Sequence, residues 1–474
     1  MTDLEKLFNP RAIGIIGVSN KPYGGGFFLT SLKNINFEKP IYIFNPRLKG
    51  QEIMGIKVYG SILEMNENQP IDYVIIAVPA ENCPNILREV GQKRVPFVTI
   101  FTSGFSEIGR NDLEKEILEI ARQYNIRILG PNCVGVFVPK NNLAFSTRVS
   151  EESGNFGMIL QSGGLAIQLS SMAQSIYGIP PSKVISIGNQ IDLNFIDFLQ
   201  YFYTDPETRV IALYLENFKN KQQGREFLTI TKKLSLSHKP VILWKVGSGQ
   251  SSIEAIKSHT GGLAGSQAIW KTIAKQTGIL LVNNAQELEN LAMTFHFLQD
   301  LSVNRNLGVI AIGGGASIQV TDVLEQYNLE IPKLSTLTTE KIKDFLPEVN
   351  TIIRNPLDLG SSGINPEIFT KTLITLENDP NISAILFVWV FNFDDIILKL
   401  LKKAYYQMKK PFICLSYDIV DDNQYYNEKL RFKRELFKLK IPFFESIELM
   451  AKSLDKLCSF KEFLENYKNF SSKP

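Results

Sequence analysis

With 474 residues, the chain is too long for one hydrophobic core and suits two to four domains. Hydrophobic residues make up 44% and charged residues 21%, and 51 basic residues against 48 acidic ones leave a net charge of only +3. That balance gives no electrostatic reason to expect nucleic acid or a membrane surface as a partner, and no apolar run is long enough to span a bilayer.

Cys83, Cys133, Cys414 and Cys458 lie far apart and form no CxxC pair, so no metal site or redox dithiol is expected. The N-terminus lacks the basic and apolar blocks of a signal peptide, which reads as a cytoplasmic protein with reduced thiols.

Short apolar runs alternate with amphipathic stretches along the chain. Residues 12–18, 41–44, 73–78, 97–101 and 126–129 read as buried parallel strands, with a helix over 111–124 between the last two. A second set of strands is predicted at 156–160, 184–187, 210–215, 240–245 and 279–282, and a third at 307–312, 384–390, 411–416 and 442–444. A helix fraying into a polar end closes the chain over 457–474. This βαβ rhythm predicts an α/β protein of three open parallel-sheet domains, at 1–145, 146–303 and 304–474.

The first strand runs into Gly14-Ile15-Ile16-Gly17-Val18-Ser19 and then Gly24-Gly25-Gly26. A glycine-rich turn that opens a helix lets backbone N–H groups approach a phosphate, with the helix dipole adding attraction. A nicotinamide dinucleotide site commonly ends its second strand in Asp or Glu. Here that strand ends in Asn45-Pro46-Arg47-Leu48-Lys49, and Arg47 and Lys49 suit an extra phosphate, such as the 3′-phosphate of CoA or the 2′-phosphate of NADP. The turn by itself leaves both ligands open.

Of the three histidines, His238 lies in a polar approach to a strand and His296 in a helical pattern where it packs. His259 is flanked by Ser258 and Thr260 and followed by Gly261, Gly262 and Gly265, a backbone-rich loop suited to a nucleophile that must reach a phosphoryl group.

Four segments in order carry a resemblance. Gly130-Pro131-Asn132-Cys133-Val134-Gly135, Gln161-Ser162-Gly163-Gly164, Ser186-Ile187-Gly188-Asn189-Gln190-Ile191-Asp192 and Ser258-His259-Thr260-Gly261-Gly262 resemble landmarks of the succinyl-CoA synthetase superfamily. They are most similar to those of the CoA-binding alpha subunit of ADP-forming acetyl/acyl-CoA synthetases. Gly313-Gly314-Gly315 with Thr321-Asp322, and Asn355-Pro356-Leu357-Asp358-Leu359, resemble that family's third alpha-subunit domain.

The resemblance implies a Rossmann-like CoA-binding domain followed by two flavodoxin-like ligase domains. It implies the reaction acyl-CoA + ADP + Pi ⇌ carboxylic acid + CoA + ATP, through an acyl phosphate and phospho-His259. Glu216 is implied as the carboxylate that fixes the imidazole tautomer; read without the resemblance, it caps a strand or pairs with Lys219. Ser162, Gly163 and Gly164 are implied as the phosphate site. Gly17, Ser19, Gly24, Gly25, Asn45, Arg47, Val78, Pro79, Asn132 and Cys133 are implied as CoA contacts, with Cys133 partly buried beside the thiol channel rather than nucleophilic. No Walker loop and no ATP-grasp pattern occurs in the chain, so Mg²⁺ with ADP or ATP is expected on a separate ATP-grasp beta subunit, as an α2β2 heterotetramer. A CoA-binding regulatory protein and an NADP-linked oxidoreductase are the alternatives.

Overall fold

The computed structural model describes residues 4–66, 68–247, 267–389, 393–417 and 421–471. The chain divides into two compact units, 1–288 and 289–474, and carries three mostly parallel sheets. Among the described residues, no helix is long and apolar enough to cross a membrane.

The first unit holds two sheets. One contains β1 (Ile13–Ile16), β2 (Ile41–Phe44), β3 (Glu52–Ile53), β4 (Ile56–Tyr59), β5 (Tyr73–Ile76), β6 (Phe97–Ile100) and β7 (Arg127–Leu129), in the order β3-β4-β2-β1-β5-β6-β7. All pairings are parallel except β3 with β4. β1 lies between β2 and β5 and all four of its residues are buried, which explains its unbroken Ile-rich run: a central parallel strand is covered on both faces. The helix Asn111–Tyr124 has the predicted bounds and ends where Asn125 turns left-handed at φ 55°.

The second sheet contains β8 (Gly135–Phe137), β9 (Phe156–Leu160), β10 (Pro181–Ser186), β11 (Val210–Leu215), β12 (Val241–Lys245) and β13 (Leu280–Val282), in the order β13-β12-β11-β9-β10-β8. β8 runs antiparallel on β10, so this sheet draws its edge strand from the segment directly after the 130–133 loop. Between the strands, Asn194 opens the helix Phe195–Thr204 with a capping box completed by Asp197, and Asn220 caps the helix Lys221–Leu236.

The second unit holds β14 (Leu307–Ala311), β15 (Leu357–Asp358), β16 (Ala384–Val388), β17 (Phe412–Leu415) and β18 (Phe443–Phe444), all parallel, in the order β15-β14-β16-β17-β18. Its core gathers Phe369, Phe387, Trp389, Phe412 and Phe432 between this sheet and its helices. The 355–359 segment works here as a staple. Asn355 Oδ1 accepts from Val309 N at 2.9 Å and its Nδ2 donates to Leu307 O at 2.8 Å, while Asp358 Oδ1 accepts from the amides of Gly313 (2.7 Å) and Gly360 (2.9 Å). The closing helix is longer than the sequence suggested, Ile447–Ser471, because its first turns bury Met450, Ala451 and Leu454.

Glu289, the first residue of this unit, lies in the helix Ala285–Leu298, fully buried, with no hydrogen bond to either carboxylate oxygen among the described residues. Burial raises its pKa well above the ordinary 4.5. Below pH 4.5 both folded and unfolded chains carry the proton. Above it only the folded chain keeps it, so stability falls by about 1.4 kcal/mol per pH unit until the folded-state carboxyl ionises. Glu289→Gln removes that slope. The variant should gain on the native chain between pH 5 and pH 8 in urea titrations, and parallel pH profiles would show the carboxyl to be solvated.

Candidate functional site

The C-terminal ends of the parallel strands in the first unit carry almost every residue singled out in the sequence, the edge at which open α/β sheets bind ligands. At the end of β1, Gly17 has φ +94°, and a Cβ there would lie 2.4 Å from the carbonyl oxygen of Ala77 and 3.0 Å from Val78. A Cβ on Gly25 would meet the Gly17 carbonyl at 2.7 Å. Only glycines let the start of the helix Gly25–Asn34 pack this tightly on β1. Gly24, the N-cap with φ +59°, faces open space, and Ser19 Oγ accepts weakly from Lys21 N at 3.4 Å.

Across the end of β2, Asn45 ties two loops together. Its Nδ2 donates to Val18 O at 2.8 Å and its Oδ1 accepts from Arg47 N at 3.0 Å. Both ends of its amide thus hold backbone, shaping the turn from which exposed Arg47 projects. Lys49 forms an ion pair with Glu64 at 2.9 Å, whereas exposed Arg47 makes no ion pair among the described residues. Pro79 is exposed and Val78 half-buried, and the Val78 carbonyl accepts from Thr102 Oγ1 at 2.5 Å.

Thr102 continues the wall, since its carbonyl accepts from Asn132 N at 3.1 Å. Asn132 is held left-handed at φ 60°. Cys133 is fully buried rather than partly so. Its sulfur lies 3.9 Å from the Ile100 carbonyl, and burial pushes its thiol pKa up to about 12. An inert, protonated thiol shapes the loop from beneath and does no covalent chemistry.

This loop is sewn to the second sheet. Asn189 N donates to Pro131 O (2.9 Å), Ile191 N to Gly130 O (3.1 Å) and Leu193 N to Ile128 O (3.0 Å). The Asp192 carboxylate accepts from Ile128 N (2.8 Å) and Arg127 Nε (2.8 Å). Asn189 Nδ2 donates to Glu107 Oε2 (2.7 Å) and Glu114 Oε1 (3.1 Å). Burial alone would raise the Glu107 pKa, but bonds from Asn189 and backbone amides outweigh it and hold the group below the ordinary range. Sequence reasoning had not singled out Glu107 or Glu114. They sit on the short 3₁₀ helix Ser106–Ile108 and the helix Asn111–Tyr124, and only the seam makes them neighbours of Asn189.

Beyond the seam, Val134 N donates to Ser186 Oγ at 3.3 Å, and a Cβ on Gly163 would touch Val134 Cγ1 at 3.3 Å and Ser186 Oγ at 3.7 Å. The 162–164 turn therefore stands directly beside the 130–134 loop. Ser162 is the N-cap of the helix Gly163–Ser175, its Oγ accepting from Leu165 N at 3.3 Å while its proton remains available to donate. Gly164 is exposed, with nothing within 4 Å of where its Cβ would be. A helix N-terminus with a hydroxyl and open glycine amides has the chemistry of an anion cradle.

Glu216, the first residue past β11, is buried, and its amide donates to Gln161 Oε1 at 3.0 Å. The residue before Ser162 thus bridges the turn and the Glu216 backbone. Glu216 acts on Tyr214, whose hydroxyl pKa is raised to about 12 by burial first and then by the carboxylate's charge and hydrogen bond. Burial lowers the Lys219 pKa, opposed by the charge of Glu114, and among the described residues no ion pair joins Lys219 to Glu216. Phe218 stacks on Trp270 at 5.6 Å beneath this corner.

His259 lies outside the described residues; the chain before it is described to Gly247, at the end of β12, and after it from Gln267. His238 is exposed in the turn that precedes β12, and His296 is half-buried in its helix, edge-on to Phe297 at 4.8 Å.

Residues 11–139 match the model of a CoA binding domain, and residues 153–295 match that of a succinyl-CoA ligase like flavodoxin domain. The chain is 35% identical over 391 residues to subunit alpha of acetate–CoA ligase [ADP-forming] II from Pyrococcus furiosus, covering 82% of each chain. It is 38% identical over 359 residues to the acetate–CoA ligase [ADP-forming] of Methanocaldococcus jannaschii, covering 75% of this chain but only 49% of that protein. The chain thus spans about half the length of that relative and most of the alpha subunit. The dinucleotide-forming acetyl-coenzyme A synthetase 1 of Candidatus Korarchaeum cryptofilum, solved with phosphate and ADP, superposes with a TM-score of 0.86 at 27% identity, over 100% of both chains. With the glycine turns, the seam and the carboxylate corner in place, these matches show that the chain belongs to the ADP-forming acetate–CoA ligase family, corresponding to its alpha subunit.

Proposed function

We propose that this chain is the CoA-binding, phosphohistidine-carrying subunit of an ADP-forming acyl-CoA synthetase that interconverts acyl-CoA, ADP and phosphate with carboxylic acid, CoA and ATP. One observation carries the reading. The seam between residues 128–132 and 189–193 makes one continuous wall from Gly17 through Val78, Thr102 and Asn132 to Gly163, with Glu216 one hydrogen bond further on.

CoA lies along the C-terminal edge of the first sheet. Its pyrophosphate takes the glycine turn of Gly17, Ser19, Gly24 and Gly25, its 3′-phosphate takes Arg47, and Val78, Pro79, Asn132 and Cys133 shape the path of its thiol arm. Phosphate held by Ser162, Gly163 and Gly164 attacks the thioester carbonyl, the carbon–sulfur bond breaks, and CoA leaves as thiolate to give an acyl phosphate. A neutral His259 nitrogen then attacks phosphorus, and the carboxylate departs. Glu216 accepts a hydrogen bond from the N–H of the other ring nitrogen, which keeps its proton, and so directs the attacking one. ADP, with Mg²⁺, takes the phosphoryl group on a separate beta subunit of ATP-grasp fold; relatives named as alpha subunits support a partner chain. Positioning and charge neutralisation carry most of phosphoryl transfer, and both are available from helix N-termini.

The test is ligand stabilisation. A ligand present at a hundred times its Kd stabilises the folded state by about 2.7 kcal/mol. CoA should raise the melting temperature and NADP should not. Arg47→Ala should weaken stabilisation by CoA about tenfold or more in apparent Kd, yet leave that by dephospho-CoA unchanged, because only CoA carries the 3′-phosphate. Stabilisation by NADP alone would replace this reading with a dehydrogenase.

A further inference from the structure

Glu216 has run past the end of the β11 ladder, so side chains rather than neighbouring strands hold its backbone. Its N–H is taken by Gln161 Oε1 at 3.0 Å, from the end of β9. Its carbonyl accepts from Lys245 Nζ at 2.7 Å, from the last residue of β12, and the same ammonium also donates to the Val246 carbonyl. β9 and β12 flank β11 on opposite sides, and Leu215 pairs in register with Lys245. Glu216 is therefore gripped across the sheet from both directions. Lys245 Nζ also lies 5.9 Å from the centre of the Trp270 indole.

We propose that Lys245, together with Gln161, is a positioning residue for the Glu216 carboxylate, clamping the Glu216 peptide so that its side chain leaves the sheet in one direction. This rests on the reading of Glu216 as the partner of the phosphorylated imidazole. A strand-terminal residue with free backbone groups samples several φ/ψ wells, and a carboxylate that must hold one imidazole tautomer cannot tolerate that spread. A lysine suits the task because one ammonium can donate to two carbonyls at once. It also sets a positive charge beside a carboxylate in a poorly solvated corner, where the attraction is strong.

Among the described residues, the charge facing Lys245 is that of Glu216. Tyr214 pairs with Trp244 and lies on the other face of the sheet, where its hydroxyl is turned to Glu216 rather than to Lys245, and the helix Gln267–Thr277 contributes the uncharged Trp270. Burial lowers the Lys245 pKa to about 8, against the opposing pull of Glu216. The clamp is thus charged at neutral pH and loses its charge in mildly alkaline solution, whereas an arginine would keep it.

The experiment follows phosphoenzyme formation from radiolabelled ATP in the full chain with its ATP-grasp partner. Lys245→Met should slow labelling by about a hundredfold while leaving stabilisation by CoA unchanged. Lys245→Arg should restore at least a tenth of the native rate and extend the rate plateau beyond pH 8, where the native rate declines. Glu216→Gln runs alongside. If it labels at the native rate, the reading of Glu216 falls and the clamp with it. If it fails to label while Lys245→Met labels within twofold of native, or if Lys245→Arg shows the native alkaline decline, the clamp alone is overturned. A purely structural lysine would alter stability, but its arginine variant would not move the alkaline limb.

Discussion

Replacing His259 with alanine is expected to abolish the transfer of phosphate from ATP to this chain in the presence of the ATP-grasp partner. The expectation follows from how few nucleophiles the chain offers. A neutral imidazole nitrogen attacks phosphorus readily, and only two other histidines exist. His238 sits in the turn before β12, at the opposite end of that strand from Ser162 and Glu216, and five residues of strand separate the two edges by roughly 16 Å. His296 is half-buried in the last turn of the helix Ala285–Leu298, edge-on to Phe297. Neither can stand in for His259, and Cys133 is buried and protonated. Acid-labile, alkali-stable radioactivity on the native chain and none on His259→Ala, with CoA stabilisation retained in both, is the expected outcome. Label that persists in the variant would place the phosphoryl carrier elsewhere.

Gly188→Ala is expected to break the seam and both halves of the site with it. Gly188 has φ +51°, and a Cβ there would lie 2.1 Å from the Pro131 carbonyl oxygen and 2.6 Å from that of Asn132. Both obstacles are backbone, so relief requires the 130–133 loop and the 187–192 loop to separate. That removes the bonds from Asn189 N to Pro131 O and from Ile191 N to Gly130 O. Left-handed strain adds about 1–2 kcal/mol to the overlap, so a loss of roughly 3 kcal/mol or more in stability is expected, with turnover down by a hundredfold or more. Gly164→Ala provides the contrast. Its Cβ would meet nothing within 4 Å, so the fold should be untouched while the methyl group crowds the anion turn. Urea titrations and phosphoenzyme formation on the two variants separate the effects: Gly188→Ala should fail in both and Gly164→Ala only in the second. Native stability for Gly188→Ala would mean that the two loops are not held together as described.

Much of this protein is determined by the sequence alone. The central strands stand out because parallel strands covered on both faces become apolar runs such as Ile13–Ile16 and Val210–Leu215. The helix Asn111–Tyr124 is legible to the residue because its amphipathic pattern ends at an asparagine able to turn left-handed. Glycine turns announce themselves because no other residue permits such close approach, and the order of the segments around Asn132, Ser162, Gly188 and His259 identifies the family.

Only tertiary structure decides the remainder. β3, β8 and β15 have two or three residues each, too few for any periodicity, and owe their state to the strand beside them. Asn45, which the resemblance implies as a CoA contact, also uses its amide to join two loops, and the 355–359 segment is a backbone staple. The grip on Glu216 draws Gln161 and Lys245 from positions 55 residues before it and 29 after it. Side chains that distant in sequence meet only because parallel strands bring their C-terminal ends to one edge. Sequence names the residues that can do the chemistry, whereas the direction in which each points is set by hydrogen bonds to groups that no local pattern encodes.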